Sequence, residues 1–512
     1  LVPLQMSLAG NVKKISVTFN KNDFTLTMNS SGLLDIISNK HVASYGEDTS
    51  EPGLPLIPVN VLIPEGNSFA SLTVSSNKSL IRENVTIATN PRMMRTINFA
   101  QEATKGLPKY ANKVYPISSV EYKCTSCMDG YTILNFLVSP FEYDASSKKL
   151  YLNESITLSI NLENSNEKIT TLPMNGKNIS DIIKSLVING EEADARNIST
   201  QNASTNSASE NIEYLIITSR ALSSYFQPIA QWKKMKGISS KIIALEDIEA
   251  NYTGATTPHK IKSCLYDLYK NNGLKYVLLG GDDTIVSKAS CYVSAGGYTE
   301  NEMPTDLFFA CFDGNFDWDG NKNGIYGETT DGIDMSPSIY VTRIPIRTST
   351  DVVAFSTKLL AYEKTPLKGG WGNNILMSGT QLWANYSSTQ SDAEAKGDNL
   401  YTNFIKPYWV GTRKKFYDTY TDFTGGADYT LNTANLQEQF ANGYNFFDIA
   451  THGSPKLWAL ESRRYYTSDA ASMKSNGFTI ITTMACQTNQ FDSPTYEPCL
   501  SEAFMRNANN GV

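Results

Sequence analysis

The stretches YNFFDIATHGS (residues 444–454) and GFTIITTMAC (residues 477–486) decide the fold of this 512-residue chain. In each stretch an apolar, β-branched run ends in a small residue and then a reactive side chain, His452 in the first and Cys486 in the second. Open α/β sheets carry their reactive residues at the carboxyl ends of parallel strands. The stretches therefore predict two neighbouring buried strands, the second over Phe478 to Ala485, that bring both side chains to one sheet edge.

The rest of the chain divides into regions that differ in composition and in the pattern of apolar residues. Residues 1–188 contain short alternating runs such as KISVTFN (14–20), separated by Gly, Pro and Asn, which predict an all-β sandwich or barrel. Residues 189–212 are polar and low in complexity, which is typical of a linker. Strand and helix patterns then alternate, and they predict two α/β subdomains, at 213–365 and 366–512, with parallel sheets covered on both faces.

Composition and charge exclude several classes of function. The net charge of -7 and the absence of clustered Lys and Arg argue against a nucleic-acid partner. No run of 18 or more apolar residues occurs, so we expect no membrane span. The opening LVPLQMSLAG lacks the basic start of a signal peptide, so we expect any export signal to have been removed.

The seven cysteines are odd in number and scattered, which does not indicate a disulfide framework. The CTSC motif (Cys124 and Cys127) has no second pair and no adjacent histidine, which argues against zinc. We interpret it as either a local disulfide or two plain thiols.

Cys486 needs a partner to become reactive, because a free thiol with a pKa of about 8.5 is mostly protonated at neutral pH. The chain has three histidines. His41 lies in the β-rich region and His259 at a predicted helix start, where solvated or capping roles are expected. His452 shares the strand-end position, so the pair has the nucleophile and base of a cysteine hydrolase. The alternative is two unrelated core residues.

THGS (451–454) and MACQTNQFDSPTYEPCLSEAFMRNANNGV (484–512) resemble the gingipain family of cysteine peptidases, clan CD enzymes with a caspase-like fold. The resemblance includes a PC-x-x-EA stretch (498–503) and extends upstream through LKYVLLGGDD (274–283), so it covers residues 213–512. Residues 115–160 resemble the family's pro-domain. The resemblance implies a secreted or cell-surface endopeptidase with bacterial-type export, made as a proenzyme, that cuts proteins or peptides without a catalytic cofactor.

The resemblance also implies roles for individual residues. Cys486 is the nucleophile, His452 is the base, and the backbone N–H groups of Gly453 and Cys486 form the oxyanion hole. Family members orient the histidine with a carboxylate, but the corresponding strand here, ILMSGTQLW (375–383), ends in Thr380 and Gln381 without an acid. Three acids that follow are candidates for orienting the histidine or for a pocket that binds Arg or Lys, with a solvated helix face as the alternative: Asp392, Glu394 and Asp398.

Further acids could contribute to a basic-specificity pocket. Glu394 and Asp398 are four residues apart, so they share one helix face and could approach one site. Asp492 and Glu497 follow the nucleophile and are the remaining candidates.

The resemblance implies that the pro-domain inhibits the enzyme by presenting a basic residue to the specificity pocket. We expect cleavage near Arg196, in the linker, to release it. Relatives continue beyond NNGV, so we expect the catalytic domain to be cut short at Val512. The basic candidates lie on a predicted loop: Arg92, Arg95, Lys105 and Lys109.

DWDGNKNGIYGE (317–328) has hard oxygen ligands at alternating positions and a carboxylate at the twelfth, which suits calcium. Lys322 stands at the sixth position, where calcium loops of the EF-hand type have glycine, so a plain turn is the alternative. A bound calcium would brace the loop and take no part in catalysis. The predicted ligands are Asp317, Asp319, Asn321, Asn323 and Glu328.

Two other functions stay open beside the endopeptidase. One is a sortase-like C-terminal signal peptidase of the type IX secretion system, which also resembles gingipains. The other is a non-catalytic surface or binding protein, favoured by the missing orienting acid and the early end of the chain.

Overall fold

The structure is a computed structural model, and it describes most of the chain. The described residues are 5–9, 11–29, 31–41, 43–46, 48, 50–90, 110–128, 130–164, 177–193, 210–295, 298–312, 315–364, 370–382, 391–417, 427–460 and 464–508.

Antiparallel strands and one helix build the N-terminal unit. Its elements are β1 (Gln5–Ala9), β2 (Val12–Thr18), β3 (Phe24–Met28), β4 (Leu34–Ser38), β5 (Ile57–Ile63), β6 (Asn67–Arg82), β7 (Val114–Tyr115), β8 (Val120–Met128), β9 (Tyr131–Val138), β10 (Phe141–Asp144), β11 (Lys149–Asn164) and α1 (Lys177–Leu186).

The strands of this unit form three sheets around one core. The largest runs β1-β2-β11-β10-β7, with β6 also paired to β11, and the others are β5-β9-β8 and β3-β4. Alternate residues of β2 and β11 are buried, and they share a core with Val59 of β5 and Phe136 of β9. The predicted β-rich character is therefore confirmed, and α1 is an addition that the sequence pattern did not indicate.

The N-terminal unit continues past residue 188, where the linker was predicted to begin. The side chain of Asn189 accepts a hydrogen bond from Leu62 N (2.8 Å) and donates one to Leu62 O (2.9 Å), as a neighbouring strand would. The buried Lys13 Nζ binds Glu192 Oε2 at 2.6 Å. These contacts tie residues up to 193 to the β-rich unit.

The first α/β subdomain holds a four-stranded parallel sheet in the order β13-β12-β14-β17. An antiparallel hairpin, β15-β16, is inserted in it and was not predicted. The elements are β12 (Tyr214–Thr218), α2 (Arg220–Ser223), α3 (Gln227–Met235), β13 (Ser240–Ala244), α4 (Leu245–Asn251), α5 (Thr257–Asn272), β14 (Tyr276–Gly280), β15 (Ser290–Ala295), β16 (Tyr298–Pro304), β17 (Tyr340–Ile344) and α6 (Ser349–Lys364).

The second α/β subdomain holds a five-stranded parallel sheet in the order β20-β19-β18-β21-β25, beside a small antiparallel sheet, β22-β23-β24. The elements are β18 (Asn374–Gly379), α7 (Asp392–Leu400), β19 (Thr412–Tyr417), β20 (Tyr429–Thr430), α8 (Thr433–Asn442), β21 (Phe446–Ala450), β22 (Gly453–Ser454), β23 (Leu457–Ala459), β24 (Arg464–Tyr466), α9 (Thr467–Ser472), β25 (Ile480–Met484) and α10 (Leu500–Arg506).

The prediction that the strand before Cys486 is buried is wrong. Strand β25 stands at the edge of the sheet, and among the described residues it pairs with β21 alone. Ile480 is 42% exposed and Met484 58%, whereas Ile481, which points to the opposite face, packs on the core. An apolar run does not distinguish an edge strand from a central one, because the two differ in their neighbours and not in their own residues.

Helix α7 packs closely on β18 and fixes the end of that strand. The hydroxyl of Ser391 accepts a hydrogen bond from Glu394 N (3.2 Å) and starts the helix. A Cβ atom on Gly379 would stand 2.4 Å from the Cβ of Ala393, so the close approach requires glycine at this strand end.

None of the seven cysteines, all of which lie in described ranges, forms a disulfide, so the CTSC motif is two plain thiols, with Cys124 exposed and Cys127 buried. Within the described ranges, no helix has the length and apolar character that crossing a membrane requires.

Candidate active site

Three strand ends come level at the carboxyl edge of the second parallel sheet. Gly379 of β18 pairs with Ala450 of β21, and Ala450 pairs with Met484 of β25. Gln381, His452 and Cys486 each lie two residues after one of these strand ends. The predicted neighbouring parallel strands are confirmed, and their register places the imidazole and the thiol on adjacent strands at the same height.

Hydrogen bonds continue beyond the formal strand ends and hold this edge together. Thr380 N donates to Ala450 O (2.9 Å), and Thr451 N donates to Met484 O (3.0 Å). The buried hydroxyls of Thr380 and Thr451 lie 2.9 Å apart, and that of Thr451 also donates to Ala459 O (2.6 Å). The segment that carries His452 is therefore fixed on both sides.

His452 is 7% exposed, and its ring is hydrogen-bonded to the backbone of Gln381. Burial lowers the pKa of His452, because desolvation penalises the imidazolium, and the hydrogen bond to Gln381 acts in the opposite direction. A neutral imidazole held in one orientation is suited to accept a proton from a neighbouring thiol. Sequence reasoning noted Gln381 only as the place where an acid was missing, and the structure identifies its backbone as the partner of the histidine.

Cys486 is exposed and opens a turn. The next residue, Gln487, has φ = +60°, a conformation that few non-glycine residues adopt and that is often found at functional sites. A Cβ atom on Gly453 would stand 2.8 Å from Cys486 O and 2.9 Å from the Cβ of Ala485. Glycine at 453 therefore lets the segment after the histidine lie directly against the turn that Cys486 opens.

Asp392 is fully buried and supports this site from one layer away. Its Oδ1 atom accepts hydrogen bonds from Leu382 N (2.8 Å) and Ala393 N (3.0 Å). The carboxylate thus fixes Leu382, the residue after Gln381. The backbone of Gln381 is in turn hydrogen-bonded to the imidazole of His452. The role of Asp392 as the orienting acid stays a prediction. These contacts connect Asp392 to His452 through Leu382 and Gln381.

Glu394 and Asp398 meet at one site, as their spacing indicates. Lys415 Nζ of β19 lies 3.3 Å from Glu394 Oε1 and 3.0 Å from Asp398 Oδ2. Arg413 Nη1, also on β19, binds Asp398 Oδ1 at 2.6 Å. The charges of both acids are therefore compensated within the chain, so a substrate cation would have to replace a lysine or arginine there.

Asp492 and Glu497 tie the segment after Cys486 to the rest of the α/β unit. Lys288 Nζ, in the first subdomain, binds Asp492 Oδ2 at 2.6 Å. Arg347 Nη1 lies 3.6 Å from Glu497 Oε2, and Arg506 binds the other oxygen of the same carboxylate. Both acids thus have structural partners.

The loop proposed to bind calcium is closed by its own side chains. Lys322 pairs with Asp317, and Glu328 Oε2 accepts hydrogen bonds from Asn321 (3.1 Å) and Asn323 (2.5 Å). Among the described residues, no group of three or more His, Cys, Asp or Glu could hold a metal ion. Calcium binding stays a prediction, and an ammonium neutralises Asp317 in this arrangement.

Described contacts join the N-terminal unit to the catalytic unit at two places. The backbone N–H of Cys127 donates to Asp334, and Asn399 Nδ2 of α7 donates to Asn39 O (2.9 Å). The predicted inhibitory and cleavage residues lie outside the described residues: Arg92, Arg95, Lys105, Lys109 and Arg196.

A thiol and an oriented imidazole that follow adjacent parallel strands of an α/β sheet, with a separate β-rich unit before them, are the arrangement typical of cysteine hydrolases that are made as proenzymes. The model of Peptidase family C25 matches residues 207–512, and that of the C25 propeptide matches residues 3–198. This chain therefore belongs to Peptidase family C25, with the family's propeptide at its N-terminus. The resemblance to gingipains and the predicted fold class are confirmed.

Solved structures give more distant matches. A complex of Porphyromonas gingivalis RgpB pro- and mature domains is 18% identical, and the match covers 59% of this chain and 62% of that one, with a TM-score of 0.44. The Arg-specific cysteine proteinase gingipain R (RgpB) is also 18% identical, with 59% and 60% covered and a TM-score of 0.43. Dimeric latent PorU from the same organism is 11% identical, with 70% and 36% covered and a TM-score of 0.23.

The chain spans less than two thirds of the length of each of these three structures. A search of curated proteins finds no match.

Proposed function

We propose that this chain is the precursor of a cysteine endopeptidase that hydrolyses peptide bonds in proteins or peptides without a cofactor. The observation that carries the proposal is the register that brings Cys486 level with His452, whose ring is bonded to the backbone of Gln381. Membership of Peptidase family C25 supports it independently.

The proposed reaction uses groups at the sheet edge. His452 takes the proton of the Cys486 thiol as the sulfur attacks the scissile carbonyl, and the backbone N–H groups of Gly453 and Cys486 stabilise the oxyanion. The imidazolium then gives its proton to the leaving amine, and a thioester remains. Water, deprotonated by His452, hydrolyses the thioester and frees the carboxylate and the thiol.

Labelling with a thiol-reactive peptidyl probe tests this proposal. Cys124 is a second exposed thiol in the same chain and serves as an internal reference. After the linker is cut, mass spectrometry of both fragments should show Cys486 labelled at least about 100-fold faster than Cys124, because only one of them has a base beside it. Cys486→Ala should abolish peptide hydrolysis. Equal labelling rates, or turnover by Cys486→Ala at the parent rate, would remove the assignment.

We also propose that the N-terminal unit is an inhibitor that cleavage near Arg196 releases, with an inhibitory side chain drawn from Arg92, Arg95, Lys105 and Lys109. The match of residues 3–198 to a propeptide family supports this role. Arg196→Gln should delay processing at the linker, and linker-cut protein should be more active than intact protein. Equal activity of the two forms would contradict the zymogen proposal but not the assignment of Cys486.

Within this function we propose cleavage after Arg or Lys, read by the acids of α7. Their ion pairs with Lys415 and Arg413 show that this cluster stabilises a cation, and a substrate side chain would replace one of them. Neutralising each candidate acid singly, with Cys486 labelling as the control, tests the idea on a peptide library. A parent that prefers uncharged residues would refute it. The variants are Asp392→Asn, Glu394→Gln, Asp398→Asn, Asp492→Asn and Glu497→Gln.

The proposed setting is secretion or the cell surface. The match of residues 3–198 to a propeptide family supports it, because a latent peptidase can be made inside a cell and released outside without harm to the cell. Fractionation of the producing cells, followed by detection of the linker-cut form, tests the location. Processed protein confined to the cell interior would contradict it.

A further inference from the structure

An open cleft of about 410 Å³ lies in the first α/β subdomain, at the start of α5, and most of its walls are aromatic rings. We propose that this cleft, the Lys262 cleft, binds a molecule with a carboxylate on an apolar body the size of one ring, and that Lys262 is the partner of the carboxylate. The residues on which the proposal depends are His259, Lys262, Phe308, Phe316, Trp318 and Tyr326.

The ammonium of Lys262 is surrounded by rings and has few polar partners. Its Nζ lies 4.3 Å from the ring centre of Phe308, 5.5 Å from that of Phe316 and 5.9 Å from that of Trp318. Within the described part of the chain it makes one hydrogen bond, to Phe316 O (3.2 Å), and no ion pair with a carboxylate. An ammonium has three donors, so Lys262 can still bind an anion.

The surroundings of Lys262 favour negative charge. Asp317, an acid that lines the cleft, is paired with Lys322. Burial lowers the pKa of Lys262 to about 8, which shows that the ammonium lacks full compensation, and a bound carboxylate would supply it.

The walls indicate the rest of the ligand. His259 makes edge contacts with Phe308 and Tyr326, with ring centres 5.3 Å and 5.8 Å apart, so aromatic rings pack against one another in the wall of the cleft. Trp318 is 3% exposed and adds its indole ring to the same wall. A space of this volume holds one ring with a short carboxylate arm. Both a free acid and a peptide C-terminus that ends in an aromatic residue have this chemistry.

Calorimetry on the full chain tests the proposal with 3-phenylpropionate as the probe and 3-phenylpropanamide as its uncharged match. The acid should bind at least about 10-fold more tightly than the amide, because only the acid forms a charge-assisted hydrogen bond with Lys262. N-acetyl-Ala-Ala-Phe separates the two sources. Tighter binding of the peptide indicates a peptide end, and weaker binding indicates a free acid. An amide that binds as tightly as the acid, or no binding of either probe, would overturn the proposal.

Variants locate the binding. Lys262→Met should remove the preference for the acid, and Lys262→Arg should retain it to within about 3-fold. Lys270→Met is the matched control, because Lys270 lies on the same helix with its ammonium 5.1 Å from the ring centre of Tyr266. Acid binding by Lys262→Met at the parent affinity, in protein whose thermal unfolding is unchanged, would refute the role of Lys262. Because the cleft contains no part of the proposed dyad, this result does not depend on whether Cys486 is the nucleophile.

Discussion

Both large sheets of the catalytic unit are parallel, but the side chains at their carboxyl edges differ. At the first edge the charges compensate one another, since Arg347 pairs with the fully buried Asp282 and Arg343 binds both carboxylate oxygens of Asp306 at 2.8 Å. At the second edge an exposed thiol follows β25 and an imidazole bonded to backbone follows β21. Strand ends thus bring side chains together in both sheets. Charge compensation distinguishes the first edge, the structural edge, from the second, which is the proposed reactive edge.

The first edge also supports the second. Arg343 lies over the ring of Phe491, with its guanidinium carbon 4.9 Å from the ring centre, and Lys288 binds Asp492. Phe491 and Asp492 are five and six residues after Cys486. The segment that follows Cys486 is therefore held by the subdomain that carries no part of the proposed dyad.

The largest effect should come from the reactive edge. His452→Ala should lower kcat/KM by about 10²–10⁴-fold, because the thiol loses its general base. Added imidazole should restore part of the rate by occupying the space that the truncated side chain leaves. Steady-state kinetics on the linker-cut protein, with and without imidazole, measures both. A rate within 3-fold of the parent would show that His452 has a structural role only, like the charged residues of the first edge.

Asp392 tests whether the reactive edge depends on a support behind it. Asp392→Leu removes the acceptor of two backbone N–H groups, and each unsatisfied buried group costs about 1–3 kcal/mol. We expect a lower free energy of unfolding and a fall in kcat/KM of about 100-fold, since Leu382 is released beside Gln381. Asp392→Asn keeps an oxygen acceptor and should retain most of the activity. Urea unfolding and kinetics of both variants check this, and equal activity of Asp392→Leu and the parent would contradict it.

The meeting of His452 and Cys486 at one sheet edge could be predicted from the sequence because it depends on local information. A β-branched run that ends in a small residue places the next side chain at a strand end, and both stretches have this pattern. The partner of His452 could not be found in this way. Gln381 acts through its backbone, which every residue has, so no residue type marks the position.

Long-range pairing accounts for the other differences from the sequence analysis. The sequence could not show that β25 is an edge strand, because its position depends on which strands pair with it. Glu394 and Asp398 were assigned to one helix face by their spacing, but their partners on β19 come from a different element. Lys288 carries no motif, and its importance depends on a contact 204 residues away in the chain.

Lys288 provides a more selective test of the support between the two edges. Lys288→Met removes the ion pair to Asp492 and should slow peptidyl-probe labelling of Cys486 by about 10-fold, because the turn after the thiol is less well positioned. Lys288→Arg should restore the rate. Lys241→Met is the control, since Lys241 of β13 also forms a 2.6 Å ion pair, with Glu210, but an exposed one. Equal labelling of the Lys288→Met and Lys241→Met variants would show that the two edges act independently.

The smallest expected effect concerns the pH dependence of stability. Burial is the largest cause of the lowered pKa of His41, His259 and His452. In the unfolded chain each histidine returns to about 6.5, so on acidification the unfolded state binds protons that the folded state does not. The free energy of unfolding should therefore be lower at pH 6.0 than at pH 7.5, and it should begin to fall as the pH drops through 6.5.

Two carboxyls oppose this trend at lower pH. Burial raises the pKa of Asp448 and Glu502, so their folded forms take up protons before the unfolded chain does, and they add stability as the pH falls. Urea unfolding at pH 7.5 and 6.0 brackets the ordinary histidine pKa of about 6.5. His452→Gln should reduce the loss of stability between these two pH values, because one of the three imidazoles with a lowered pKa is gone. Stability that is constant or rises from pH 7.5 to 6.0 would contradict the prediction that the unfolded chain binds protons that the folded histidines do not.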